Sequence, residues 1–192
     1  MLETGYLQGM LAAGMSQTGN IGFIGPVQGA SLVKIMNGYE DGAKEVNADI
    51  KYQTAWTGSF TDTALAKEAA QAMIDNGADV IGHCANESGT GALNAAQDAG
   101  VLATGDSYDQ SSLAENAVLS SAVYHVPELI KTAVSDIKEG KFKGEVKELG
   151  MAEGIVELVY NEKMAEEIPA EVKKLVDETE AKIKDGSFEV PC

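Results

Sequence analysis

Asn20-Ile21-Gly22-Phe23-Ile24-Gly25 is the stretch whose reading decides the fold. It is short and apolar without strict alternation, which suits a strand covered on both faces. Similar runs at 50–56, 80–83, 101–105 and 118–121 are separated by helical patterns at 32–46, 63–76 and 91–99 and a less regular stretch at 111–116. In the second pattern Ala66, Ala69, Ala70, Met73 and Ile74 fall on one helical face. Strand–helix–strand units of this length require right-handed crossovers and a parallel sheet. Gly19, Gly77 and Gly100 stand where left-handed helix ends are expected, and Asp62 and Ser88 where helix N-caps are expected. The 21 glycines are read mainly as punctuation of such turns.

Beyond 121 the register changes. An amphipathic helix is expected at 127–139, short strands at 146–149 and 155–160, a final helix at 169–184 and an extended stub at 188–190. The 192 residues carry 30 Asp+Glu against 14 Lys+Arg, a net charge of −16. That field repels phosphate backbones and anionic lipid surfaces, so nucleic acid is not an expected partner. Two cysteines, Cys84 in an apolar run and Cys192 at the end, read as a buried thiol and a terminal one rather than a disulfide framework. The first residues show no positively charged signal-peptide region, and no apolar run is long enough for a span. His83 and His125 lack metal-ligand spacing, so no metal site and no cofactor are expected. No nucleotide-binding glycine motif is complete and no nucleophile–base pairing is readable, so the chain is not read as an enzyme.

An ordered set of motifs then carries a resemblance: Ile21-Gly22-Phe23-Ile24-Gly25, Gly38-Tyr39-Glu40-Asp41-Gly42-Ala43-Lys44-Glu45-Val46-Asn47, Thr57-Gly58-Ser59-Phe60-Thr61-Asp62, Asn76-Gly77-Ala78-Asp79-Val80-Ile81 and Gly140-Lys141-Phe142-Lys143-Gly144. Together they resemble the basic membrane protein family, purine-nucleoside-receptor-like substrate-binding lipoproteins of ABC importers. The resemblance implies an α/β fold of the type I periplasmic-binding-protein kind: a Rossmann-like parallel-sheet lobe flanked by helices, with a partial second lobe. On it, residues 1–19 are a crossover helix from an incomplete lobe one, 20–121 a complete lobe two, and 122–192 a return segment into lobe one with a C-terminal helix.

The implied function is binding of a purine nucleoside or related heterocycle in an interlobe cleft. The implied partners are an ABC permease and ATPase, and the implied location is an extracytoplasmic lipid anchor. Self-association through the incomplete lobe is a further expectation. An intracellular ligand sensor of the same fold, and a relative that no longer binds, stay open as alternatives.

Ligands of open parallel sheets sit beyond the carboxyl ends of the strands. By resemblance Phe60 falls on the aromatic position that stacks on the purine, and Asn86 on a position that reaches the base. Trp56 is a second aromatic candidate, balanced between core and ligand. Asp106-Ser107-Tyr108-Asp109-Gln110 resembles the family's ribose loop, but the carboxylate position falls on Ser107, with Asp106 one residue earlier. Tyr124 stands where many nucleoside-binding members carry lysine. These departures weaken ribose recognition and leave nucleoside and free base both open.

Overall fold

β1 (Asn20–Gly25) is buried at all six positions in the computed structural model, which describes residues 1–191. Cys192, and with it the expected terminal thiol, lies outside the described residues. Around β1 are β2 (Lys51–Trp56), β3 (Val80–His83), β4 (Leu102–Gly105), β5 (Val118–Tyr124) and β6 (Val156–Tyr160), in the order β2-β1-β3-β4-β5-β6. The first five strands are parallel, and β6 closes the sheet antiparallel to β5. This is a type I periplasmic-binding-protein-like α/β fold, a largely parallel sheet covered by helices.

The helices are α1 (Leu2–Met15), α2 (Ala30–Val46), α3 (Thr63–Asp75), α4 (Gly89–Ala99), α5 (Val126–Lys138) and α6 (Ala170–Lys184). Alternation along β1 divides the core. Ile21 and Phe23 pack with Ile35, Met36, Tyr39 and Ala43 of α2 and with Ala12 and Ala13 of α1. On the opposite face, Ile24 packs with Ala66, Ala70 and Met73 of α3 and Leu93 and Ala96 of α4. A third cluster joins Leu7 and Leu11 of α1 to Leu119, Leu158 and Val176. Helix α1 is therefore buried along Thr4–Ala13, nearly all round, as a helix held between other layers must be.

Glycine does more here than end helices. Gly19, Gly77 and Gly100 do adopt left-handed conformations, with φ of +66°, +91° and +68°. Gly5 and Gly9 of α1, however, face Gly38 and Gly42 of α2. A methyl at Gly9 would overlap the Tyr39 carbonyl oxygen, and one at Gly42 the Tyr6 carbonyl oxygen. The two helix backbones are in contact, which only hydrogen side chains permit. Reading the glycines mainly as turns misses this pairing.

Several boundaries differ from expectation. Asp62 caps α3 through bonds to Ala64 and Leu65, but Ser88 makes no such cap: its hydroxyl donates to the Ala85 and Ser59 carbonyls. Residues 111–116 hold only a short 3-10 turn, Ser111–Leu113. The strand expected at 146–149 does not form, and Val146 is 91% exposed; β6 completes the sheet through β5. The stub at 188–190 joins no ladder, and Phe188 instead sets its ring 5.6 Å from that of Tyr6. Segments 1–19 and 122–192, assigned by resemblance to another lobe, contribute α1, β6 and α6 to this same sheet and its layers. Helix α5 and residues 139–148 stand off from the core, and no residue of α5 is buried.

Candidate ligand-binding surface

The chain leaves β1 toward α2 on one face of the sheet and leaves β3 toward α4 on the other. Between these adjacent strands the direction of winding reverses, and ligands of such sheets bind beyond the carboxyl ends at that point. Asn86 lies there, in a 3-10 turn (Asn86–Ser88) directly after β3. It is exposed and has φ +53°. Ser107, after the neighbouring strand β4, has φ +72°. Among the described residues these two are the only non-glycine positions with positive φ. Such backbone persists where surrounding structure holds it, and it gathers at ligand clamps. The N-terminus of α4 receives no side-chain cap, from Asn86 or from Ser88.

Phe60 is brought to the same place by hydrogen bonds rather than by its strand. The Ser88 amide donates to the Phe60 carbonyl at 2.9 Å, and the Ser88 hydroxyl donates to the Ser59 carbonyl at 3.1 Å. Within the loop, the Thr57 hydroxyl donates to Ser59, and the Ser59 hydroxyl accepts from the Thr61 and Asp62 amides. The backbone of Phe60 is thus pinned while its side chain stays outside the core, with the residue 44% exposed. Trp56 takes a different course. Its ring lies on Gly25, where a methyl would overlap it, and it joins Tyr52 at the rim of the α2-side core.

The loop after β4 is held from beneath by a buried network. His83 Nδ1 accepts from the Ala85 amide at 3.2 Å, so Nε2 carries the proton and donates to Gln110 Oε1 at 3.0 Å. The same Gln110 oxygen accepts the Asp106 amide at 2.8 Å, and the Gln110 amide donates to the Ser121 hydroxyl. From α1, the Gln8 side chain donates to the Gly105 carbonyl at 2.7 Å. Asp106 itself is 4% exposed. Tyr124 donates to its Oδ1 at 2.5 Å, and the Ser107 hydroxyl donates to its Oδ2 at 2.8 Å. Burial pushes the Asp106 carboxyl above its usual range, opposed by His83 and by these hydroxyl bonds. The Tyr124 phenol is also raised, by burial first and then by the carboxylate it touches.

Of the residues singled out from sequence, Phe60 and Asn86 are therefore joined through Ser88. Asp106, Ser107 and Tyr124 form a second cluster after β4 and β5, and Trp56 stays with the core rim. Sequence reasoning passed over Tyr108, 51% exposed at the tip of the β4 loop, and gave His83 no supporting role. Tyr108 could have been found from its place between Ser107 and Asp109; the His83–Gln110 bond spans 27 residues and had no local signal. No group of three metal-ligating side chains is present among the described residues. Two surface concavities are present among the described residues: one of about 360 Å³ between α2 and the outer edge of β2, reaching the strand ends at Gln28 and Trp56, and one of about 170 Å³ under α5. The strand ends themselves form an open wall.

Comparison with known proteins agrees with this architecture. The family model for PnrA-like ABC transporter substrate-binding proteins (Bmp) matches residues 1–192. Basic membrane protein A2 of Borrelia garinii subsp. bavariensis is 36% identical over 193 residues, covering 98% of this chain and 56% of the relative. A purine-binding protein of Brucella abortus is 34% identical over 186 residues, covering 97% and 51% respectively. The solved structure of a transcriptional activator of the comK gene from Bacillus halodurans superposes with a TM-score of 0.86 at 26% identity, over 100% of this chain and 65% of that one. The chain spans about half the length of the curated relatives it matches. On residue pattern, family model and fold together, the chain belongs to the basic membrane protein family of PnrA-like ABC transporter substrate-binding proteins.

Proposed function

We propose that this chain supplies one wall of the ligand cleft of an ABC importer's solute-binding protein, and that the ligand is a purine nucleoside or a related heterocycle. The observation that carries the reading is the exposed Phe60 side chain, its backbone pinned through Ser88 beside left-handed Asn86 at the switch point of the sheet. A ring offers a stacking face to a flat heterocycle, and an amide offers a donor and an acceptor to its edge. The 34% identity to a protein described as purine-binding supports the same class.

In this reading a second lobe closes over the wall, and ligand contacts made only in the closed state shift the open–closed equilibrium. The permease of an importer receives the closed form outside the cytoplasm and couples it to its ATPase, with the protein held by a lipid anchor. The test is a saturation-transfer NMR and calorimetric screen of purine bases, purine nucleosides and unrelated sugars. A purine ligand is expected to bind, and Phe60→Ala to weaken it about 10-fold, or ~1.4 kcal/mol. Unchanged affinity in Phe60→Ala, or a preference for sugars, refutes the assignment.

The likeness to a transcriptional activator favours a second reading, an intracellular sensor of the same ligand class. Fractionation of cells producing the full reading frame separates the two. The importer reading requires the protein in the membrane or exported fraction, and the sensor reading in the cytosol.

A further inference from the structure

We infer that Asp106 positions the loop after β4 instead of gripping ligand, and that this surface therefore selects a free heterocyclic base over its ribonucleoside. The inference rests on the purine reading above and narrows it. A carboxylate that takes a vicinal diol must offer acceptor sites to the cleft. Here Oδ1 accepts from the Tyr124 hydroxyl and Oδ2 from the Ser107 hydroxyl, and the residue is only 4% exposed, so burial keeps its remaining lone pairs from the cleft. The Ser107 hydroxyl proton is committed to the same bond. Tyr124 directs its hydroxyl inward to that buried carboxylate, and its backbone amide donates to the Ser107 carbonyl. The β4 loop and the end of β5 thus satisfy each other.

What remains on the exposed surface is two aromatic residues, Phe60 and Tyr108, and Asn86 between their loops. That set suits a flat base with polar edges. Charge points the same way. The chain contains no arginine, and none of its 14 lysines lies in 26–29, 57–62, 84–88 or 106–110, the loops at the strand ends. A phosphorylated sugar would find no lysine or arginine in those loops and would meet Glu87 and Asp109, both exposed.

The experiment compares hypoxanthine, inosine and inosine monophosphate on the 192-residue chain by saturation-transfer NMR titration. Hypoxanthine is expected to bind about 10-fold more tightly than inosine, with no saturable binding of the monophosphate. Tyr124→Phe, which frees one lone pair of Asp106, is expected to narrow the base-to-nucleoside ratio to about 3-fold. The ratio is the readout because a general loosening of the fold weakens both ligands alike. Inosine binding as tightly as hypoxanthine, or more tightly, overturns the inference and leaves the purine reading standing. Binding of none of the three overturns both. If Tyr124→Phe does not fold, as judged by its thermal melt, the wild-type ratio decides alone.

Discussion

Helices α3 and α5 are both 13 residues long and both carry an apolar face at helical spacing, yet their environments are opposite. Ala66, Ala70 and Met73 of α3 are buried against β1, β3 and α4. No residue of α5 is buried: Leu129 is 43% exposed, Ile130 58% and Ile137 60%. The difference lies in what the neighbours offer. Below α3, Gly22 of β1 leaves room for the Met73 sulfur, and Gly91 of α4 lets the helix approach the Thr63 carbonyl. Below α5 there is only the irregular segment at 139–150, linked to it by ion pairing of Lys147 with Asp136 and by the Lys141 and Phe142 amides, which donate to the Asp136 carbonyl. Amphipathicity states that a helix face seeks cover; it does not state whether the same sheet supplies it.

The contrast can be broken or sharpened by substitution. The largest effect is expected where helix backbones touch. Gly42→Ala drives a methyl into the Tyr6 carbonyl and should lower unfolding free energy by about 3 kcal/mol in denaturant titration. A near-neutral result would mean α1 can shift on α2. Next come matched truncations of the two helices. Met73→Ala should cost about 2 kcal/mol by leaving a cavity, whereas Ile137→Ala should stay within about 0.5 kcal/mol. Equal costs would show that α5 is covered in solution.

A smaller effect should come with pH. Burial holds the His83 imidazole below its ordinary 6.5, so its neutral form stabilises the fold fully above about that pH. The contribution is lost as pH falls toward the folded value. Asp106 acts in reverse, since its raised carboxyl takes up a proton more readily folded than unfolded as pH falls. The wild-type melting temperature minus that of His83→Gln should therefore decrease between about pH 7 and about pH 5. A difference independent of pH would mean the ring is not held neutral.

The smallest effect on stability, with a separate readout, is expected for paired Ile130→Lys and Ile137→Lys. Self-association is expected through the exposed apolar face they interrupt, so sedimentation velocity should show less concentration dependence in the variant. A wild type that is monomeric at all concentrations would refute that.

Much of the fold was legible because it rests on local pattern. Strands β1 to β4, their helices and the left-handed Gly77 and Gly100 follow from periodicity and turn chemistry within a few residues. The strand expected at 146–149 was not: the segment is drawn to α5 by the Lys147–Asp136 ion pair, with Val146 exposed, and the outer edge of β6 stays unpaired among the described residues. The candidate surface divides the same way. Phe60 and Asn86 could be placed at strand ends from sequence, since strand ends are set by the same pattern. Their junction through Ser88, and the closure of Asp106 by Tyr124 across 18 residues, required the fold.

The sequence by itself thus determined the α/β class, the sheet's parallel core and the loops at the strand ends, because each depends on contacts close along the chain. The tertiary structure decided which glycines are helix contacts, which candidate groups are exposed and which are already satisfied. Those depend on hydrogen bonds and packing between segments far apart in sequence, and no local pattern encodes the partner.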